Sequence, residues 1–256
     1  MTEAEAAARL AAANIPAPRR EARRLAGAAS GRPLADLVAR RCEGEPMSHI
    51  LGYRDFWEHR FEVTADVLDP RPETETLVAA ALGGQFARLL DLGTGSGCIL
   101  LSLLSARTGA QGMGTDLSQA ALAVAARNAE VLGVSGRTTL RQSDWWDGVR
   151  GTFDLIVANP PYIAAAEMAG LQRELGFEPR MALTDEGDGL SAYRAIVAGA
   201  PAHLAPGGRL MLEIGPTQGA AVRAMMRAAG LGRVRLLPDL DGRDRVVDGT
   251  LGSTAP

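Results

Sequence analysis

The feature that most limits how this chain can fold lies between Arg88 and Gly249, where short apolar runs alternate with helical stretches. Such alternation is the pattern of a parallel, doubly wound sheet flanked by helices. Seven strand segments are expected, at 89–91, 112–116, 138–142, 153–158, 209–214, 234–237 and 245–249. One of the intervening helices, 118–132, carries Ala121, Leu122, Ala125, Ala129 and Leu132 on one face and stops at Gly133. Helices are also expected at 98–106, 191–203 and 218–229, with a long stretch rich in loop signals before the second of these.

The residues ahead of this region read differently. Thr2 and Glu5 form a capping-box pattern that opens a helix reaching about Asn14. Further helices are expected at 18–29 and 33–41, and a fourth opens at Glu45-Pro46 and closes at Gly52. Phe56, Trp57, Phe61 and Val63 then alternate with polar residues as a β-hairpin would. The chain therefore divides into a helical module, 1–52, a hairpin linker, 53–72, and an α/β domain, 73–256, whose last residues, 252–256, are expected to be loose. A helical appendage with no chemistry of its own is expected to recognise a protein partner. His49 within it is expected to be packed or solvated and not a ligand.

Composition removes several classes. The 256 residues, 46% of them hydrophobic, suffice for one large domain and a small one. Cys42 and Cys98 are the only cysteines, with neither disulfide nor metal spacing, so no metal site is expected. No apolar stretch approaches the roughly 20 residues of a membrane span, and the acidic start is unlike an export signal, which points to a soluble, cytoplasmic protein. Net charge is −3, and the cationic side chains, all arginine, are scattered, so the chain lacks the basic footprint of a dedicated nucleic-acid binder.

The strand at 153–158 runs into Asn159-Pro160-Pro161-Tyr162. Proline donates no hydrogen bond to a ladder, so the strand must end there. Asn159, forced to extended backbone by Pro160, is expected to project past the carboxyl edge of the sheet, where such sheets bind ligands. Its side-chain carbonyl and the Pro160 carbonyl are two adjacent acceptors suited to a planar NH2 group, although a strand followed by a Pro-Pro turn has the same four residues.

A second motif, Asp91-Leu92-Gly93-Thr94-Gly95-Ser96-Gly97, joins the first strand to a helix and gathers backbone N–H groups at a helix N-terminus. Asp116 ends the next strand where a ribose-binding carboxylate belongs, and Trp145 offers an aromatic face after the third. The glycine spacing departs from GxGxxG, and fits a ligand with an amino-acid tail and a ribose better than a dinucleotide.

In this order the two motifs and Asp116 resemble those of S-adenosylmethionine-dependent methyltransferases that modify planar nitrogens. Two further stretches, Phe56-Trp57 with Pro70-Arg71-Pro72-Glu73-Thr74-Glu75 and Gly242-Arg243-Asp244-Arg245-Val246-Val247, resemble the bacterial peptide-chain release factor glutamine methyltransferases over nearly the whole chain. Ser48-His49 stands where that family more usually has Ala-Tyr. The resemblance implies a seven-stranded, Rossmann-like class I methyltransferase domain. It also implies transfer of a methyl group from S-adenosylmethionine to the glutamine N5 of the Gly-Gly-Gln loop of class-1 release factors, a step serving translation termination.

Under it, Gly93, Thr94, Gly95, Ser96 and Gly97 would line the methionine portion of the cofactor, with Asp91 beside them. Asp116 would meet the ribose and Trp145 the adenine. Asn159 and Pro160 would hold the substrate NH2, Tyr162 would pack on the amide plane beside Pro161, and Phe61 would close its other face. Arg180 and Glu213 either line the pocket or serve structure. A glutamine methyltransferase acting on a large-subunit ribosomal protein, and less closely a DNA or RNA amino-methyltransferase, share the tetrapeptide. The protein is expected to act as a monomer, with no direct nucleic-acid contact.

Overall fold

A computed structural model describes residues 1–171 and 173–253, so the expectation for 254–256 lies outside the described residues. Four helices open the chain: α1 (Glu3–Ala12), α2 (Pro18–Ala28), α3 (Leu34–Cys42) and α4 (Met47–Leu51). The capping box forms as the sequence suggests: Thr2 Oγ1 accepts from the Glu5 N–H at 3.2 Å, and Glu5 Oε2 accepts from the Thr2 N–H at 2.8 Å. Gly52 closes α4 with φ of 82°, a conformation glycine adopts without penalty. Leu10, Leu25, Leu37 and Ile50 bury themselves together and give this module its own small core, each contributing roughly 1.5–3 kcal/mol.

An antiparallel hairpin follows, β1 (Tyr53–Phe56) and β2 (His59–Glu62), with Arg54 opposite Phe61. After a 3-10 turn at Pro72–Thr74 and α5 (Glu75–Leu82), the large sheet begins. In chain order it comprises β3 (Arg88–Leu92), α6 (Cys98–Ala106), β4 (Gln111–Asp116), α7 (Gln119–Val131), β5 (Thr138–Gln142) and β6 (Phe153–Ala158). It continues with α8 (Arg180–Leu183), α9 (Ser191–His203), β7 (Leu204–Glu213), α10 (Gly219–Ala228), β8 (Leu231–Pro238) and β9 (Asp244–Leu251). The strand order is β5-β4-β3-β6-β7-β9-β8. Among the described residues, no helix is long and apolar enough to cross a membrane.

Side chains on successive residues point to opposite faces, so each strand feeds two cores. Leu89, Leu155 and Val157 pack with α5 and α6 on one face, while Leu90, Ile156 and Ala158 pack with α9 and α10 on the other. Burial on both faces is what the unbroken Leu155-Ile156-Val157 run requires.

Two expectations need correction. The sheet is mixed, because β9 runs antiparallel to both β7 and β8. β7 also begins at Leu204, paired with Phe153, and resumes regular pairing at Arg209. Ala205 to Gly208 bulges out between them, where Pro206 has no N–H to donate and Gly207 takes φ of 77°. The order of succession reverses at β3: β4 and β5 lie on one side, β6 and β7 on the other. A crevice therefore opens at the carboxyl ends of β3 and β6.

Candidate active site

The turn leaving β3 is built for close approach. Gly93, Gly95 and Gly97 have φ of 70°, 55° and 82°, which side-chain-bearing residues adopt only under strain. Thr94 N–H donates to the Thr115 carbonyl at 2.8 Å, and Gly95 N–H donates to Asp116 Oδ2 at 2.9 Å. The other Asp116 oxygen accepts from the Ser118 N–H at 2.9 Å. Burial pushes the Asp116 carboxyl up, against the downward pull of these N–H donors. Each Asp116 oxygen takes one donor from the fold and keeps acceptor capacity to spare.

These residues line a cavity of about 690 Å³. Gly93, Thr94, Gly95, Ser96, Asp116, Trp145, Asn159, Pro160 and Pro161 are all on its wall. Trp145 holds φ of 42°, an uncommon state for a bulky residue, and its carbonyl accepts from Ser143 Oγ at 2.9 Å. Its neighbour Trp146 turns away, stacking on His203 at 4.8 Å between ring centroids and donating Nε1–H to the Ala195 carbonyl at 2.9 Å.

Asn159 leaves β6 as its prolines dictate. Its Nδ2 donates to Thr74 Oγ1 at 3.3 Å, while Oδ1 is buried without a partner. Among the described residues nothing donates to the Pro160 carbonyl either. A buried acceptor left unmade costs about 1–3 kcal/mol, so Asn159 Oδ1, with the unpaired carbonyl of the next residue following it, marks the place where a ligand's donors are missing.

Several expected residues stand elsewhere. Phe61 is fully buried, edge-on to Phe56 at 6.0 Å and 71°, and belongs to the core. It is not a cavity residue, because β2 turns it inward against the sheet. Gly97 is off the wall too: it opens α6, and a Cβ there would come within 2.8 Å of Leu101 and 3.3 Å of Ala125. Asp91 lies behind the wall, fully buried, where its Oδ2 accepts from Thr94 Oγ1 at 2.7 Å. Burial lifts its carboxyl to about 7.

Tyr162 stands beside the wall, not in it. Its ring packs on the second core, its carbonyl accepts from Gln218 Nε2 at 2.9 Å, and burial raises its phenol pKa. Arg180 reaches the cavity mouth paired with Glu186, while Glu213, 1% exposed, does not reach the cavity. His49 is packed, with Nε2 buried and unpartnered, and burial lowers its pKa. No cluster of metal-binding side chains occurs among the described residues.

Thr74, Arg71 and Met181 also line the cavity; Arg71 and Thr74 lie in the Pro70 to Glu75 stretch that carries the resemblance, which by itself gave neither of them a role. Thr74 stands 85 positions from the residue it contacts, and only the fold brings the two together.

Comparison with known proteins agrees with this arrangement. Residues 72–190 match the family model described as methyltransferase small domain. A release factor glutamine methyltransferase from Cereibacter sphaeroides is 54% identical over 95% of this chain and 95% of its own. One from Rhodospirillum rubrum is 44% identical over 93% of this chain and 80% of its own. Among solved structures, a methyltransferase from Pyrococcus furiosus superposes with a TM-score of 0.56 at 19% identity, covering 75% of this chain and 88% of that one. The hMettl16 catalytic domain, solved with the MAT2A 3′UTR hairpin 6, gives 0.62 at 18% identity, covering 86% and 84%. These two likenesses are of fold, that of a Rossmann-like class I methyltransferase. With relatives this similar over 93% and 95% of its length, the chain belongs to the release factor glutamine methyltransferase family.

Proposed function

We propose that this enzyme transfers a methyl group from S-adenosylmethionine to the side-chain nitrogen of the glutamine in the Gly-Gly-Gln loop of a class-1 release factor. The observation that carries the reading is the pair of unmet acceptors, Asn159 Oδ1 and the Pro160 carbonyl, at a glycine-lined cavity. A primary amide brings two N–H donors in one plane, and two acceptors are what it lacks.

The wall fits the cofactor. Gly95 has no atom within 4 Å of where a Cβ would stand, and the buried Ser96 hydroxyl has no partner. Gly93 to Ser96 would hold the amino-acid tail, Asp116 the ribose hydroxyls and Trp145 the adenine face. When bound, S-adenosylmethionine supplies an electrophilic methyl group on a sulfonium.

The protein's own task is orientation. An amide nitrogen is a poor nucleophile because its lone pair is delocalised, and fixing both N–H bonds turns that lone pair toward one direction. The same acceptors stabilise positive charge as it grows on the nitrogen. No side chain on the wall is a strong base. Asp185, pushed up by burial but held down more strongly by donors from Ser191, Gly187 and Gly189, sits at about 2. The proton therefore leaves after the new bond forms.

The helical module, 1–52, is read as recognising the protein substrate, the hairpin, 53–72, as joining it to the catalytic domain, and 73–256 as carrying the chemistry. Four exposed arginines on α2 and the tie from Arg41 to Glu174 support that division. The reading includes a monomeric enzyme that acts in the cytoplasm without nucleic acid. Asn159→Ala should lower turnover on purified release factor by about a hundredfold or more while cofactor still binds. Near-native turnover by that variant, or a wild-type enzyme that labels ribosomal protein or nucleic acid in place of release factor, would refute it.

A further inference from the structure

The two residues that follow Asn159 have no hydrogen-bond donor of their own. Pro160 and Pro161 carry no N–H, and their rings lock φ, so they form a stiff span. A stiff span aims its carbonyls reliably only if both ends are held. One end is Ala158, paired in the sheet with Leu92 on β3 and Leu212 on β7. The other end is held by Gln218, the N-cap of α10. Gln218 Nε2 donates to the Tyr162 carbonyl at 2.9 Å and to the Gly189 carbonyl at 3.0 Å, which uses both of its hydrogens. Its Oε1 accepts from the Gly215 N–H at 3.0 Å, and the buried Tyr193 hydroxyl shares its one hydrogen between Oε1 at 3.2 Å and the Glu213 carbonyl at 3.0 Å.

This amide has only one way round. Two of its partners are carbonyls, which only accept, and a third is a backbone N–H, which only donates. Two glycines make room for it. A Cβ at Gly189 would stand 2.4 Å from the Tyr162 carbonyl and 3.1 Å from Gln218 Nε2, and one at Gly215 would stand 3.0 Å from Gln218 Oε1 and 3.3 Å from the Tyr162 ring. Gln218 itself is not on the cavity wall. We propose that Gln218 is a positioning residue for methyl transfer: it clamps the far end of the Pro-Pro span, and so holds the Pro160 carbonyl and the Tyr162 ring in register with the substrate amide. The proposal rests on the reading of Asn159 and Pro160 as the acceptors for that amide. The clamp secures both segments that meet there, since the Ile163 N–H donates to the Leu183 carbonyl at 3.0 Å and the Ala165 N–H to the Gly187 carbonyl at 2.9 Å.

The test measures kcat and KM on purified release factor, and cofactor affinity by calorimetry, for wild type, Gln218→Met, Gln218→Glu and Gln218→Ser. Gln218→Met keeps the length and bulk of the side chain and makes none of its bonds. It should lose roughly tenfold to a hundredfold in kcat, with KM and cofactor affinity within about twofold of wild type, because the reacting groups are misplaced and not removed. Gln218→Glu keeps the acceptor for Gly215 but turns a second oxygen on the two carbonyls, so it should lose at least as much. Gln218→Ser supplies a preferred helix N-cap and is too short to reach Tyr162. It should fold as well as wild type and still lose kcat to the same extent.

A near-native kcat in any of the three variants would overturn the proposal; in Gln218→Glu it would show that bracing Gly215 is enough. A fall in cofactor affinity that matches the fall in rate would overturn it too, as the mark of a general loosening. A second measurement does not depend on substrate. Backbone hydrogen exchange across 162–165 should be slow in wild type and at least about tenfold faster in Gln218→Met and Gln218→Ser, with β3 and β6 unchanged. Equal protection in all three proteins sinks the clamp. A wild-type enzyme that transfers no methyl to release factor sinks the functional reading instead, and leaves the exchange result to decide the clamp.

Discussion

Asp91 shows how far one buried carboxyl can shape the enzyme's response to pH. Burial lifts it to about 7, with only Thr94 and the Leu100 N–H opposing. The folded chain thus keeps a proton that the unfolded chain releases near pH 4. The associated stability is complete below that ordinary value and is lost as pH rises through about 7. Asp91→Asn keeps an acceptor for Thr94 and cannot ionise. It should flatten the fall in Tm between about pH 5 and about pH 8, leaving the smaller slope due to Glu213, which is raised for the same reason. A variant with the wild-type slope would show that Asp91 is not the group responsible. At this scale the sequence was most readable where the constraint is covalent: Asn159 stands where proline chemistry must put it, and Gly93 and Gly95 where only glycine is comfortable. Phe61 was put at the substrate by resemblance alone, and a resemblance does not say which side of β2 meets the core. Thr74 lay in a stretch that marked the family, but its contact with Asn159 was not legible, since that partner is remote in sequence.

Among the elements, the link between the helical module and the catalytic domain depends on Arg41, at the end of α3. Arg41 is 3% exposed, and its guanidinium donates to Glu21 on α2 and to Glu174 in the segment after β6, both at 2.6 Å. Glu21 is largely buried while Glu174 is nearly half exposed, so most of the loss on removing Arg41 comes from stranding Glu21. Arg41→Leu should cost roughly 3 kcal/mol in urea unfolding. A loss below about 1 kcal/mol would place the pair with ordinary surface ion pairs. Element identity was legible because helical and strand periods differ and glycine or proline ends most runs. Strand direction at the sheet's edge was not. Whether β9 runs with or against β7 depends on pairing between distant segments, and the bulge at Ala205 to Gly208 reads locally as a loop.

For the molecule as a whole, the proposed division puts substrate recognition and chemistry in different parts, which should respond to different changes. Arg19, Arg20, Arg23 and Arg24 are all exposed along α2, although the chain carries a net charge of −3. Reversing all four to glutamate should raise KM for release factor roughly tenfold, with a salt-dependent difference from wild type and an unchanged kcat. An unaltered KM would remove α2 from the recognition surface. The most direct test of the central claim is site-mapped mass spectrometry of release factor after incubation with cofactor and either wild type or Asn159→Ala. The expected result is one added methyl on the Gly-Gly-Gln glutamine with wild type and almost none with the variant. A methyl on another residue, or equal modification by both proteins, would contradict it.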